Sequence, residues 1–579
     1  MTTSSSAPNY SSLSHADLVS RVTVLEKKLR ALNETHAASA NSLPAESKKK
    51  PKKPPKPFDP SRYNTRFTAF KFAYLGGAYN GFEHHTNNTT PLPTVEEVLW
   101  RALRKAKLIF PDFTKVGGDQ NEVCWDGVEY SKCGRTDRGV SAFGQVIGLR
   151  VRSSRPKQEL KQPSEDFGDE VAHGEAITEG DGPMPDGENA QSLEEHIAPV
   201  SVWDDIRDEL PYIQVLNRIL PPSIRILAWC PHPPPDFSAR FSCRERRYRY
   251  FFTNPAYPVA RGTREGTLDI PAMHEAAKKY EGLHDFRNFC KVDPGKQISN
   301  FERRIFHAGV YAVNPGKPGR DVVEKGSDEA SLSASDTSLK LSEPEAFYFE
   351  VRGSAFLWHQ VRHLVAVLFL VGQGYEDGSV VDRLLDTQSC PSKPTYEMAD
   401  DRPLVLWDCI FPDLDKLDDH QDHGANGENA SWSYENALEW VYVGDEAGGR
   451  DQSKRAIPGI DDGKYGRNGI MDDLWAQWRH RKMDEVLAGS LMDVVSAVGG
   501  RASSQAGASH MVHEDVDAPS KSDFGRSDRV FDGGDRARTV GTYTPIIRRE
   551  RLEAPEIMNA RYAARKGLTF RSVEVDMDE

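Results

Sequence analysis

No Cys-x-x-Cys pair occurs among the seven cysteines of this 579-residue chain, so the sequence carries no zinc-ligand spacing. An odd, scattered set of thiols fits a reducing compartment better than a disulfide framework. Long apolar runs are missing as well. The longest, Leu364 to Val371, falls far short of the roughly 20 residues that a membrane helix needs. The first ten residues, MTTSSSAPNY, lack the apolar core of a secretory signal. These absences lead us to expect a soluble, intracellular protein with no membrane partner. Positive charge is also scarce, since the formal net charge is −13. That argues against a nucleic-acid partner only if the deficit is uniform, and it is not. Residues 165–195 hold eleven Asp or Glu and no Lys or Arg, so the bulk charge says little about the surface of any one domain.

What is present divides into ordered and low-complexity stretches. In residues 1–62, Leu18, Val22, Val24, Leu25, Leu29 and Leu32 recur at helical spacing, which predicts a short amphipathic or coiled-coil helix. Six lysines between Lys48 and Lys56, interleaved with prolines, read equally as an extended linker and as a nuclear import signal. Folded sequence is expected from about residue 63. Arg66 to Leu75 reads as a strand. The capping box Thr94-Val95-Glu96-Glu97 opens a helix to about Lys107. Strands are expected near 124–131 and 145–152, closing a first half at residue 158. Residues 159–200 are acidic, Gly-rich and aromatic-poor, the composition of a disordered insertion. Over 201–412 we expect a helix from Val202 to Ile219 and a strand from Ser223 to Cys230. A long strand follows from Phe241 to Phe252. A helix capped by Asp269 comes next, then strands at 301–313 and 347–352, separated by a mobile loop over 315–345. Helices at 359–371 and 380–385 and a last strand at 404–411 complete the core. Residues 413–579 read as an extension, largely disordered, with a docked helix near 473–495. Two αβ units with mixed strands predict an α+β fold of two ferredoxin-like halves with mixed, mainly antiparallel sheets, and a central cleft between two such halves is a natural site, which the resemblance given below makes an RNA-binding one.

Candidate chemistry centres on Ser131 to Gln145, SKCGRTDRGVSAFGQ. The run places Asp137 between Arg135 and Arg138 on a loop that enters an alternating strand. Opposite charges within a few ångström keep a carboxylate ionised, which suits a nucleophile or base. The flanking arginines also suit phosphate. On the strand from Phe241, Arg247 and Arg249 share one face, while Tyr248, Tyr250 and Phe252 share the other. His359 and His363 lie four apart on one helix, but without a neighbouring Glu or Cys motif they predict no metal. His84 and His85 read as a surface loop pair.

Four ordered motifs, GRTDRGVSAFGQV, DFSARFSCRERRYRY, EGLHDFRNF and GSAFLWHQVRHLV, together resemble the TruA-type tRNA pseudouridine synthases. The form CGRTDRGVSAFGQ most resembles the eukaryotic branch acting on uridines 38 and 39 of the anticodon arm. The resemblance implies isomerisation of uridine to pseudouridine in tRNA, after the target base is flipped out of its stack. That reaction oxidises and releases nothing, so it requires neither cofactor nor metal. By the same resemblance Asp137 is the catalytic carboxylate, and Arg135 fills the gap left by the flipped base. Tyr248 stacks on the target, and Arg362 pairs with the aspartate. Arg138, Arg240, Arg247, Lys291 and Lys296 are the substrate-binding candidates, by charge and analogy. A homodimer, and residence in nucleus and cytoplasm, are further expectations. The alternatives are a sister enzyme of different tRNA specificity, or a non-catalytic tRNA-binding protein.

Overall fold

A computed structural model describes residues 58–85, 90–116, 118–157, 203–258, 266–313, 345–413, 434–446, 462–466, 469–497 and 529–567, together with Val24. The expected N-terminal helix apart from Val24, the Lys/Pro segment, the acidic insertion and the 315–344 loop lie outside these residues.

The first half begins with β1 (Asn64–Tyr74), whose Phe70, Phe72 and Tyr74 are buried. Helix α1 (Val95–Lys105) starts where the capping box places it, with Thr94 Oγ1 accepting from the Glu97 N–H at 3.2 Å. It buries Val95, Leu99, Trp100 and Leu103, the stripe that a 3.6-residue period puts on one face. The strand expected over 124–131 is present only as β2 (Ser131–Lys132). The residues before it form turns, including a left-handed Glu129, and Trp125 stacks on Tyr130 at 3.8 Å. Its neighbour β3 (Ser141–Ser153) is longer than expected. The helix expected over 202–219 contracts to α2 (Tyr212–Asn217). Asp204 and Asp208 divert the chain ahead of it, because their carboxylates accept from local N–H groups in turns. Strand β4 (Ile224–Cys230) completes this half.

In the second half β5 (Glu245–Asn254) is followed by α3 (Ile270–Lys278), capped by Asp269 as expected. Strands β6 (Gly282–Asp285), β7 (Glu302–Ala312) and β8 (Glu345–Gly353) come next. Helix α4 (Gln360–Gly372) is buried along its whole length, α5 (Ser379–Leu385) is short, and β9 (Leu404–Ile410) ends the core.

Together with β10 (Val441–Tyr442) these strands form one ten-stranded sheet, in the order β10-β4-β1-β3-β9-β5-β8-β7-β6, with β2 on β3. The two expected halves are therefore two cores on a continuous sheet rather than two sheets. One core gathers β1, β3, β4, α1 and α2; the other gathers β5, β7, β8, α3, α4 and α5. The join is the parallel pairing of β3 with β9, Ser141 opposite Val405 and Ala142 opposite Leu406. Leu406 in turn faces Tyr248, and Tyr248 packs against both cores.

The extension is more ordered than its composition suggests. Helix α6 (Ile470–Ala497) covers the expected island but is docked only at its start. There Ile470 is buried, Arg225 pairs with Asp473, and Gln477 donates to the Pro222 carbonyl. Farther along, Leu487 and Leu491 are more than 60 % exposed. Residues 529–567 of this extension, expected to be largely disordered, are folded. Strands β11 (Arg529–Val530) and β12 (Arg538–Thr539) form a hairpin, followed by α7 (Pro555–Lys566). Val530, Phe531 and Ile546 are buried in the second core. Glu376 accepts from the Tyr543 hydroxyl and the Ile546 N–H at 2.7 and 2.6 Å.

Truncation after residue 528 is expected to destabilise the protein by roughly 4 kcal/mol or more, at about 1.5–3 kcal/mol for each of three lost apolar side chains. Urea unfolding followed by circular dichroism checks this; an unchanged midpoint would show that the extension is not part of the core.

Candidate active site

The loop between β2 and β3 is fixed from several sides before any catalytic group is considered. Gln145 bonds Gly134 twice, Nε2 donating to the carbonyl at 3.0 Å and Oε1 accepting from the amide at 3.1 Å. The Thr136 hydroxyl lies 2.6 Å from the Tyr74 hydroxyl, and its carbonyl accepts from the Phe82 N–H at 3.1 Å. Two glycines permit the close approach of the neighbouring chain. A Cβ on Gly76 would sit 2.1 Å from the Val140 carbonyl oxygen. One on Gly81, whose φ is +86°, would crowd the Thr136 carbonyl at 3.0 Å.

Held this way, Asp137 presents a carboxylate that is about one-third exposed, 32 %. Both oxygens are engaged by the segment that enters α4. The Trp358 indole N–H donates to Oδ1 at 3.3 Å, and His359 Nε2 lies 3.3 Å from Oδ2. Burial alone would raise the pKa of Asp137. The hydrogen bond and charge of His359, the charge of Arg362 and the Trp358 N–H outweigh it and hold the carboxyl below the usual range. His359 itself adopts the left-handed region, φ 61° and ψ 9°, as the residue before α4. That conformation is strained for a residue with a side chain. Its Nδ1 is buried without a hydrogen-bond partner among the described residues.

Arg362 is buried on α4, and its Nε donates to the Ala399 carbonyl at 2.7 Å. It acts on Asp137 through its charge, while the direct side-chain contact at 3.3 Å belongs to His359. Tyr248 stands edge-on to Phe356 with centroids 5.1 Å apart. One segment, 354–359, therefore touches both Tyr248 and Asp137. Burial pushes the Tyr248 phenol up, so the ring is neutral at ordinary pH.

The basic candidates separate into those near this segment and those away from it. Lys291 and Lys296 lie over the Trp358 ring, 4.6 and 5.4 Å from its centroid, and the Lys291 N–H donates to the Trp358 carbonyl. Arg135 is half-exposed and pairs with Glu83 at 3.1 Å. Arg138 is exposed on the same loop. Arg240 is exposed beside Phe241. Arg247 does not join the site. Strand alternation turns it to the face opposite Tyr248, and its Nε donates to buried Glu245, which also accepts from Arg352. On that face Arg249 lies between Trp407 and Tyr348, 4.0 and 4.5 Å from their centroids.

Sequence reasoning missed Trp358 and His359 as site residues. It treated His359 only as half of a metal pair with His363. The two histidines have separate surroundings, for His363 is buried against Lys393, with Nε2 2.6 Å from Nζ. The usable signal was the polar pair Trp-His immediately before an otherwise apolar helix.

Replacing His359 by Gln removes the imidazole that hydrogen-bonds the ionised Asp137 carboxylate, a contact worth about 1.5–3 kcal/mol. The expected result is a roughly tenfold or greater loss in kcat/KM, with its acid limb moved to higher pH because the ionised carboxylate loses support. An unchanged pH profile would show that this contact does not govern Asp137.

A sequence profile described as tRNA pseudouridine synthase matches residues 276–412. The tRNA pseudouridine(38/39) synthase of Saccharomyces cerevisiae is 36 % identical over 417 residues, covering 70 % of this chain and 72 % of the relative. The protein of the same name from Bos taurus is 38 % identical over 405 residues, covering 70 % and 68 %. The tRNA pseudouridine synthase A of Methanothrix thermoacetophila is 26 % identical over 354 residues, covering 61 % and 85 %. With identity at that level over more than two-thirds of the yeast relative, this chain belongs to the tRNA pseudouridine synthase family.

Proposed function

We propose that this protein isomerises uridine to pseudouridine in the anticodon arm of tRNA, at positions 38 and 39, with Asp137 as the catalytic carboxylate. The names of the yeast and bovine relatives, tRNA pseudouridine(38/39) synthases, support the reaction and the positions. The observation that carries the residue assignment is a partly exposed carboxylate, kept ionised by His359 and Trp358 and bordered by Lys291 and Lys296.

The reaction breaks the N1–C1′ bond of uridine, turns the uracil, and joins C5 to the same sugar carbon; the C5 proton is exchanged for one on N1. Asp137 attacks C1′ to give a glycosyl ester, or removes a sugar proton to give a glycal. Both routes need an ionised carboxylate at the sugar, and so both need the target nucleotide flipped out of its stack. Tyr248 stacks on the extruded uracil, and Arg135 occupies the space it leaves. Lys291, Lys296, Arg138 and Arg240 contact phosphates, in a groove between the two cores. The proposal extends to a homodimer in solution and to residence in both nucleus and cytoplasm, the latter from the lysines at 48–56.

Asp137→Asn is expected to bind tRNA nearly as well as the native enzyme and to form no pseudouridine, read by filter binding and by mass spectrometry of digested tRNA. Full activity in the purified variant would overturn the assignment. Lys291→Ala and Lys296→Ala are each expected to weaken tRNA binding and to lower the log–log salt slope by roughly one. An unaltered slope in the double variant would place the phosphates elsewhere.

A further inference from the structure

Three cysteines far apart in the sequence meet inside the protein. Cys133 opens the loop that carries Asp137, Cys243 precedes the strand that carries Tyr248, and Cys409 lies in β9 between those elements. Their Sγ atoms all lie within 4.8 Å of one another, and each residue is 5 % exposed or less. The sequence gives no sign of the cluster, because each cysteine comes from a different element and no two are close in the chain.

The surroundings are those of a negative centre. The Arg246 guanidinium donates to the backbone carbonyls of Ser354 at 2.7 Å, Arg240 at 3.1 Å, Cys133 at 3.2 Å and Cys243 at 3.3 Å. Among the described residues no carboxylate pairs with it. A buried cation is costly without a nearby anion, and the ionisable groups around this one are the three thiols and the Tyr248 phenol.

We propose that Cys133, Cys243 and Cys409 form a binding site for a thiophilic d10 cation, with Zn²⁺ as its representative. The thiolate is the form that binds metal, and soft sulfur donors select such ions. Three thiolates, one divalent cation and Arg246 sum to zero charge, so the buried assembly is neutral as a whole. Zn–S bonds of about 2.3 Å at tetrahedral angles separate the sulfurs by roughly 3.8 Å. Small side-chain rotations from the observed spacing reach that geometry. Metal binding displaces the thiol protons to solvent and oxidises nothing. The ion would take no part in the isomerisation. It would tie the Asp137 loop to β5 and β9, across the join between the two cores.

The test uses the full-length reduced protein, purified without chelator. Metal content is measured by plasma mass spectrometry, and the metal-free form is titrated with Co²⁺. The expected results are about one zinc per chain, a sulfur-to-cobalt charge-transfer band in the near ultraviolet, and loss of both in Cys243→Ser and Cys409→Ser. Circular dichroism of each variant separates loss of the site from loss of the fold. Less than about a tenth of an equivalent of zinc, together with no charge-transfer band, would overturn the proposal. So would a disulfide between any two of the three in the freshly isolated protein.

Discussion

A single carboxylate held by the segment before helix α4 is the contact on which the site depends. Asp137 belongs to the first core's loop, whereas Trp358 and His359 belong to the second. Neither half can set the rotamer and the ionisation of Asp137 alone. The cost of the arrangement is visible at His359, which takes a left-handed conformation and buries one ring nitrogen without a partner among the described residues. Strain of this kind, about 1–3 kcal/mol at such positions, persists only where surrounding structure over-determines it. Here Gln360 Oε1 accepts the Leu357 N–H at 2.8 Å, and the first turn of α4 is entirely buried.

The sheet brings the two segments together. A parallel pairing of only two residue pairs joins the halves at β3 and β9, directly after the Asp137 loop. Antiparallel pairing then carries the same level across to Tyr248. Two strand spacings, roughly 10 Å, separate Ala142 from Tyr248 along this row. The carboxylate and the aromatic ring therefore reach a common region from different strands. Phe356, two residues before Trp358, packs on the Tyr248 ring, which is proposed to hold the uracil.

Much of this was legible in the sequence, for identifiable reasons. Strands with β-branched and aromatic alternation, such as β1 and β8, and helices with explicit caps, such as those opened by Thr94 and Asp269, came out where expected. Local hydrogen bonds fix those elements. The failures fall where local signals compete or distant contacts decide. The acidic turn at 204–208 displaced the predicted helix start. Apolar residues after Gln477 suggested docking that does not occur along most of α6, while the polar-looking 529–546 stretch docks through a few buried side chains. At the proposed site, Asp137, Tyr248 and Arg362 were named from motifs, but the residues that contact the Asp137 carboxylate, Trp358 and His359, were not. Arg362 sits one turn too far along α4 and gives its Nε to Ala399. Arg247 was named as a phosphate contact although its own strand parity turned it away from Tyr248, where Glu245 holds it.

The central claim concerns where the Asp137 carboxylate meets the substrate, and a structure of the enzyme bound to a tRNA anticodon arm tests it most directly. The account predicts the target uridine out of its stack, its C1′ or an adjacent sugar proton within roughly 3–3.5 Å of an Asp137 oxygen, and its base against Tyr248. A uridine still stacked in the arm, or extruded into a pocket away from Asp137, would contradict it.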